Sequence, residues 1–560
     1  MPNQTKTYRM KPHALAAGML FLAVPLTAAD FATKTDWPSY GGTHSALRYS
    51  ALDQINAANV QKLAPVWMFQ TGDKESGLEA TPIVIDGVMY LSSASNWVFA
   101  LAADTGRLLW EYRFPLPAAF QPIYGRQNRG VAVGQGRVFM GTADNHVVAL
   151  DQKTGTELWR VNVEDERQCG CNITGAPLVV KDLVITGVTG GDSAHRGYLT
   201  AFDARTGRMR WRFYTIPAPG EKGSETWPGE SWRFGGGATW MTGSYDPDLD
   251  LLYWGVGNAA ADLNATHRRG DNLYTCSIVA LDPATGGLKW HYQEVPQDMW
   301  DYDAAFELIL ADIPLGGQTR KVLMQPNKTG YVWMIDRVTG RFLKAWRFAN
   351  QVNWVTGITE EGKLVGRLEP EIGKTKLVCP SAIGAKNWNQ SAYSLRTGWL
   401  YIPVQEICND LTARDDEGSE GRPFIGGDWQ MKPPPGGRME GYIAAYDAVT
   451  GERKWTALAT TWILASVLAT AGDVVFSGDP EGFFFALDAR TGKRLWSFQT
   501  GGGHRGSAVT YSVNGRQYVA TPSGWGSVVG AAHHAFWPDR PAPQGGSALV
   551  VFALPQELAR

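Results

Sequence analysis

The sequence predicts an all-β protein: a single eight-bladed β-propeller with tryptophan-docking repeats over residues 30–560. Three observations carry this. A hairpin motif closed by tryptophan recurs along the chain, which is the signature of a repeat architecture. Glycine is abundant, at 64 of 560 residues with no Gly-X-Y period, which calls for many tight turns. Charged residues make up only 19% of the chain and aromatics 11%, which excludes a disordered polymer. The 52 basic and 54 acidic residues nearly cancel, so no overall positive field recruits nucleic acid or anionic lipid.

Residues 1–29 read as a secretory signal. Lys6, Arg9 and Lys11 precede a 13-residue apolar run over 14–26, and Thr27-Ala28-Ala29 offers small residues for cleavage. The run is too short to cross about 30 Å of hydrocarbon. Cleavage removes three cations and no acid, leaving 49 basic against 54 acidic residues, a net charge of −5. No later segment approaches the length of a membrane span, so the mature protein is expected to be soluble and periplasmic.

The repeat reads Ala-Leu-Asp-Gln-Lys-Thr-Gly-Thr-Glu-Leu-Trp at 149–159, and recurs at 201–211, 280–290, 445–455 and 486–496. Looser copies lie at 100–110 and 334–346, and a degenerate one without tryptophan surrounds Thr397-Gly398. The motif glycines are Gly106, Gly155, Gly207, Gly286, Gly340, Gly398, Gly451 and Gly492, eight in all. Each copy is a hairpin in which β-prone residues lead to an Asp that can cap the turn and a Gly that supplies positive φ. The closing Trp can pack between adjacent sheets while its N–H finds a carbonyl. Eight copies over the mature chain allow roughly 66 residues each, enough for a four-stranded sheet and one long loop. Spacing is uneven: 79 residues separate Gly207 from Gly286, against 41 between Gly451 and Gly492. Long inserts belong on one rim, where function is expected.

Segments between the repeats carry more. Trp37-Pro-Ser-Tyr-Gly-Gly, Arg48-Tyr-Ser, Asn128-Arg-Gly-Val-Ala, Tyr253-Trp-Gly-Val-Gly-Asn258, Gly270-Asp-Asn-Leu-Tyr274, Trp300-Asp-Tyr-Asp303 and Pro326-Asn-Lys-Thr-Gly330 follow one another in order. Together they resemble the pyrroloquinoline quinone (PQQ)-dependent alcohol dehydrogenases of the methanol and ethanol dehydrogenase type. The resemblance runs from about Trp37 to about Gly526 and implies PQQ and one metal ion, calcium or a lanthanide, in an eight-bladed propeller. PQQ is a flat, polyanionic ortho-quinone, so its site needs a stacking floor, cationic partners, and a metal acting as Lewis acid. A carboxylate must take the substrate hydroxyl proton.

By motif, the resemblance makes Asp301 the base and Trp240 the stacking indole. Arg129 and Thr142 match carboxylate contacts, Glu79 a cofactor-binding acid, and Lys328 the basic partner of the quinone oxygens. Asn387-Trp388 resembles an Asn-Trp pair near the quinone. Asp192, Asn258, Asp301 and Asp303 match or extend the metal ligands, and an acid at Asp303 resembles the lanthanide-using forms. Asp303 lies two residues after Asp301, so in an extended segment both side chains point to one side. A trivalent ion asks for one more anionic oxygen than a divalent ion of similar radius.

Three departures stand out. Ile123-Tyr124 occupies the place of an adjacent Cys-Cys pair, so the ceiling over the quinone must be built differently. The usual metal-ligating Glu is Asp192, about one methylene shorter. A family Trp-Asn-Gly-Gly reads Trp462-Ile-Leu-Ala, which is expected to alter the rim near the substrate. Cys379 and Cys408 match a family disulfide. Cys169-Gly-Cys171 either closes a small ring or stays reduced, and Cys276 reads as a buried thiol.

Cys-x-x-Cys-His is absent, so this chain carries no covalent haem, and electrons are expected to pass to a soluble cytochrome c or blue-copper protein. The leading reading is a periplasmic quinoprotein oxidising an alcohol, polyol or sugar hydroxyl, with neither nucleic acid nor a membrane span involved and a homodimer as one option. The competing reading is a non-catalytic propeller scaffold of the cell envelope. That reading requires none of Asp301, Asn258, Lys328, Arg129 and Trp240.

Overall fold

The computed structural model describes residues 1–2, 33–75, 77–117, 119–543 and 545–556. The leader expected over 1–29 therefore lies, apart from its first two residues, outside the described residues. Among those residues, antiparallel strands form seven four-stranded sheets and one five-stranded sheet, and two smaller sheets occur in the inserts. In chain order the larger sheets occupy 83–113, 132–162, 178–214, 244–293, 309–347, 392–458, 468–499 and 509–553. The seventh gains Tyr49–Ser50, parallel to Leu468–Thr470, and the eighth gains Ala64–Gln70, antiparallel to Gly545–Ala553. The start of the described chain thus completes the last sheet. One apolar cluster, including Val84, Phe476 and Val550, spans the first, seventh and eighth sheets and closes the ring.

The motif explains both the hairpin and the docking. Asp151 Oδ1 accepts the backbone N–H groups of Lys153 and Thr154 at 3.0 and 2.9 Å, capping the turn as its residue type suggests. Ala149 faces Trp159 across the ladder, and the same Ala–Trp pairing recurs at Ala201–Trp211, Ala280–Trp290, Ala445–Trp455 and Ala486–Trp496. A small residue opposite each indole leaves the ring free to lie on the next sheet. There it meets a glycine: a Cβ on Gly155 would stand 2.4 Å from the Trp110 ring, and one on Gly207 would stand 2.8 Å from the Trp159 ring. The indole N–H then reaches a carbonyl of that neighbour, as Trp159 does at Ala204 O (3.2 Å) and Trp455 at Ala489 O (2.9 Å).

One repeat is reassigned. Gly398 turns between Ala392–Ser394 and Trp399–Glu406, in the same sheet as Gly451, and no neighbouring atom would crowd a Cβ there. Trp346 docks instead on Gly451. The turn at Thr397-Gly398 is an inner hairpin of the sixth sheet, whereas the eighth sheet is completed by Ala64–Gln70, whose Trp67 docks on Gly106.

Thr375–Val378, Cys408–Ala413 and Gly427–Lys432 form a three-stranded sheet in which Cys379 and Cys408 are bonded. This insert supports the 298–303 segment: Trp300 Nε1 donates to Leu368 O (3.1 Å) and Tyr302 Oη to Pro380 O (2.6 Å). Cys169 and Cys171 are also bonded, which settles the alternative the sequence leaves open, and Cys276 is a buried free thiol. No helix among the described residues is long and apolar enough to cross a membrane.

Candidate active site

A cavity of about 330 Å³ brings together nine of the eleven residues singled out as cofactor, metal or catalytic groups. Arg129, Asp192, Trp240, Asn258, Asp301, Asp303, Lys328, Asn387 and Trp388 all line it, from seven separate stretches of chain.

Its acidic wall begins at Asp301. Asp298 builds the loop by accepting the backbone N–H groups of Trp300 and Tyr302 at 3.2 Å each. Asp301 adopts φ +62°, a left-handed conformation that Asp tolerates better than most residues. The segment is therefore not extended throughout, contrary to the expectation from sequence, yet both carboxylates still converge on Lys328. Lys328 Nζ lies 2.9 Å from Asp301 Oδ2, 2.8 Å from Asp303 Oδ2 and 2.7 Å from Asp301 O. Gly384, at φ +81°, lets Lys328 reach this place, because a Cβ there would stand 2.5 Å from Lys328 Cα. Burial alone would lower the Lys328 pKa, but Asp301 and Asp303 outweigh it and raise it above the ordinary value. Burial pushes the Asp301 carboxyl well up, with Lys328 opposing, and its Oδ1 is buried without a hydrogen bond. Asp192 is raised by burial and then by Asp303.

Asn258 joins the two halves of this wall. Its backbone N–H donates to Asp303 Oδ1 (3.2 Å) and its Nδ2 to Asp192 Oδ1 (3.1 Å). Trp240 Nε1 also points at Asp303 Oδ1 (3.3 Å), tying the aromatic floor to the acids. Among the described residues no three acidic, histidine or cysteine side chains are already placed as a metal cluster; the positive charge between Asp301 and Asp303 is the Lys328 ammonium.

The opposite side is aromatic and cationic. The Arg129 guanidinium lies 5.1 Å from the Trp240 ring centre and 4.9 Å from that of Trp388. Arg505, which sequence reading passed over, lines the same cavity 5.8 Å from Trp388. The Asn387 amide is engaged within its own loop, donating to Ile383 O (2.9 Å) and accepting from Trp388 N–H (2.8 Å).

Two expected contacts are displaced. Glu79 does not line the cavity but stands behind it, between Arg129 (3.4 Å) and Arg505 (3.1 Å), where it neutralises and aims both guanidiniums. Thr142 is held in its own turn, donating to Asp144 Oδ1 (2.5 Å) and accepting from His146 N–H (2.9 Å). Thr174 takes the place expected for it, lining the cavity and accepting from Arg129 Nη1 at 2.7 Å. Trp462 is also not at the rim: it is fully buried and donates to His533 Nδ1 at 2.9 Å. Ile123 and Tyr124 also line the cavity, and Tyr124 Oη meets Ser193 Oγ at 2.6 Å. Arg505 was findable in principle, as a lone arginine in the glycine-rich run Gly501-Gly-Gly-His-Arg-Gly506.

These groups fit a flat polyanion and a cation. Two indoles, two guanidiniums and three carboxylates, one with an orphaned buried oxygen, line the same cavity. Fold and site together define a PQQ-type β-propeller oxidoreductase. The family model "PQQ: Glucose/ethanol/alcohol dehydrogenase, beta-propeller domain" matches residues 37–347 and 457–519. The chain is 38% identical to the quinohemoprotein alcohol dehydrogenase of Comamonas testosteroni, over 90% of this chain and 75% of that one. It is 36% identical to the lanthanide-dependent methanol dehydrogenase of Methylorubrum extorquens, over 91% and 92% of the two chains. A solved europium-containing methanol dehydrogenase superposes with a TM-score of 0.87 at 35% identity, covering 93% of this chain and 98% of that one. The chain belongs to the PQQ-dependent alcohol dehydrogenase family; it is an enzyme, with PQQ and a metal ion, calcium or a lanthanide, as cofactors.

Proposed function

We propose that this protein is a periplasmic alcohol dehydrogenase in which Asp301 is the base and Asp192, Asn258, Asp301 and Asp303 hold the metal. The observation that carries it is the convergence of Asp301 and Asp303 on Lys328, in one cavity with Trp240, Asp192 and Asn258. The eight larger sheets are taken as eight blades of one propeller over residues 30–560, behind a cleaved leader at 1–29.

Held by these residues, PQQ would supply a two-electron hydride acceptor and the metal a Lewis acid. The chain does the rest. Trp240 presents a stacking face, Trp388 and Asn387 border the slot, and Arg129 with Arg505, both aimed by Glu79, bind anionic carboxylates. Lys328 supplies a cationic donor where the quinone oxygens accept charge. Asp301 Oδ1, free of protein hydrogen bonds, would take the proton from the hydroxyl oxygen as hydride leaves the carbon that bears it, so the alcohol loses two electrons and two hydrogens in all. Ile123 and Tyr124 add an apolar and an aromatic side chain to the lining, in place of the adjacent cysteine pair. The three carboxylates favour a lanthanide over calcium, and electrons leave to a soluble cytochrome c or blue-copper protein.

Reconstitution with PQQ and metal, followed by dye-linked turnover on a primary alcohol, a secondary alcohol, a polyol and a sugar, tests this reading. Turnover on at least one class is expected; silence on all four with PQQ bound would sink it.

A further inference from the structure

We infer that Asp262, outside the ligand set described above, is a positioning residue of the metal site, acting through Asn258. This rests on Asn258 being a ligand.

Asp262 is only 3% exposed and does not line the cavity. It follows the strand Leu251–Gly255 by one loop, and its Oδ1 accepts Asn258 Nδ2 at 2.9 Å. The other acceptor of that Nδ2 is Asp192 Oδ1 at 3.1 Å. A primary amide has two donor hydrogens, and here both are aimed at carboxylates. The amide oxygen must then face the other way, because turning it round would set Oδ1 against the two carboxyl oxygens that now accept from Nδ2. It faces Gly191, where there is room only because Gly191 lacks a side chain: a Cβ there would stand 2.1 Å from Asn258 Oδ1. Gly191 and Asn258 both line the cavity.

Asp192 cannot orient the amide alone. As a proposed ligand its oxygens turn to the cation, and its short side chain leaves little slack to serve both. Asp262 is the acceptor that stays when Asp192 is engaged. Such outer carboxylates fix ligand orientation, and their loss typically costs 10- to 100-fold in metal affinity.

The test uses the full chain with PQQ bound, titrated with terbium and read by luminescence sensitised through the Trp240 indole. Asp262→Ala is expected to weaken terbium binding about 10- to 100-fold. Asp262→Asn keeps an acceptor oxygen and is expected to stay within about threefold of wild type. In an Asn258→Ala background, Asp262→Ala should add nothing further. Wild-type affinity in Asp262→Ala, equal damage in Asp262→Asn, or an additive loss in the double variant each overturns the inference. If near-UV circular dichroism shows that Asp262→Ala does not fold, Asp262→Leu, of similar shape without an acceptor, takes its place. A wild-type chain without a saturable signal would instead remove the metal assignment itself.

Discussion

At the scale of single residues, the acids of the site differ in what surrounds them. Asp301 keeps one oxygen free of hydrogen bonds, whereas Asp303 is held by Trp240 Nε1, Asn258 N–H and Lys328. The free oxygen suits a proton acceptor and the held one suits a ligand. Asp301→Asn preserves size and removes the base, so kcat should fall about 10²- to 10⁴-fold with PQQ retained. Near-full turnover in that variant would take Asp301 out of the chemistry. Asp303→Ala removes one anionic oxygen, which costs a trivalent ion more than a divalent one. Wild type refilled with lanthanum should turn over at least as fast as with calcium, and Asp303→Ala should lose the lanthanum response selectively. An unchanged metal preference would refute that role.

At the scale of elements, one strap holds both loops that carry the proposed ligands Asp192 and Asn258. Phe424 N–H donates to Asp192 O, Ala194 N–H to Arg422 O, and Leu263 N–H to Ile425 O, each at 2.9 Å. Phe424 packs against Ala194, Ala260 and Ala261, so its ring lies between the loops carrying Asp192 and Asn258. Truncating a buried Phe costs about 3–5 kcal/mol where the site cannot collapse. Phe424→Ala should therefore loosen the two loops and speed metal loss on dialysis, followed by metal analysis of the retained protein. Wild-type retention would show that the loops hold themselves. The strap lies within the insert, which sequence spacing placed on a functional rim without saying what it would touch.

At the scale of the whole molecule, many buried titratable groups tie stability to pH. Burial lowers His504 to about 4, with the Pro522 carbonyl opposing. An unfolded histidine takes its proton near 6.5, so between about 6.5 and 4 the unfolded chain binds more protons than the native one. The stability present above that window is lost as pH falls through it, at up to about 1.4 kcal/mol per pH unit for each such histidine. Asp479, raised by burial to about 6, acts in the opposite sense, since the native state holds its proton as pH rises from 4 towards 6. Comparison with a variant isolates one contribution. His504→Gln should show a smaller fall in Tm from pH 7 to pH 5 than wild type, by thermal unfolding at both values. An equal fall would mean that His504 is not neutral in the native state.

The repeat was legible because it is local. Asp caps, Gly turns and the Ala facing each Trp act within a dozen residues, so composition and spacing alone predicted the sheets and the tryptophan docking. That nine of the eleven candidate residues would meet in one cavity was legible through resemblance, because motif order survives even where spacing does not. Tertiary structure alone decided the rest. Gly398 resembles its seven counterparts in sequence, and only strand pairing shows that it turns within another sheet. Thr142 and Thr174 are equally plausible threonines until the fold sets one in its own turn and the other on Arg129. Glu79, Arg505 and Asp262 gain their roles from partners tens to hundreds of residues away, or from an amide whose orientation no local pattern encodes. Hydrogen bonds and ion pairs act over a few ångströms of space, and the chain brings such groups together only once the ring of sheets has closed.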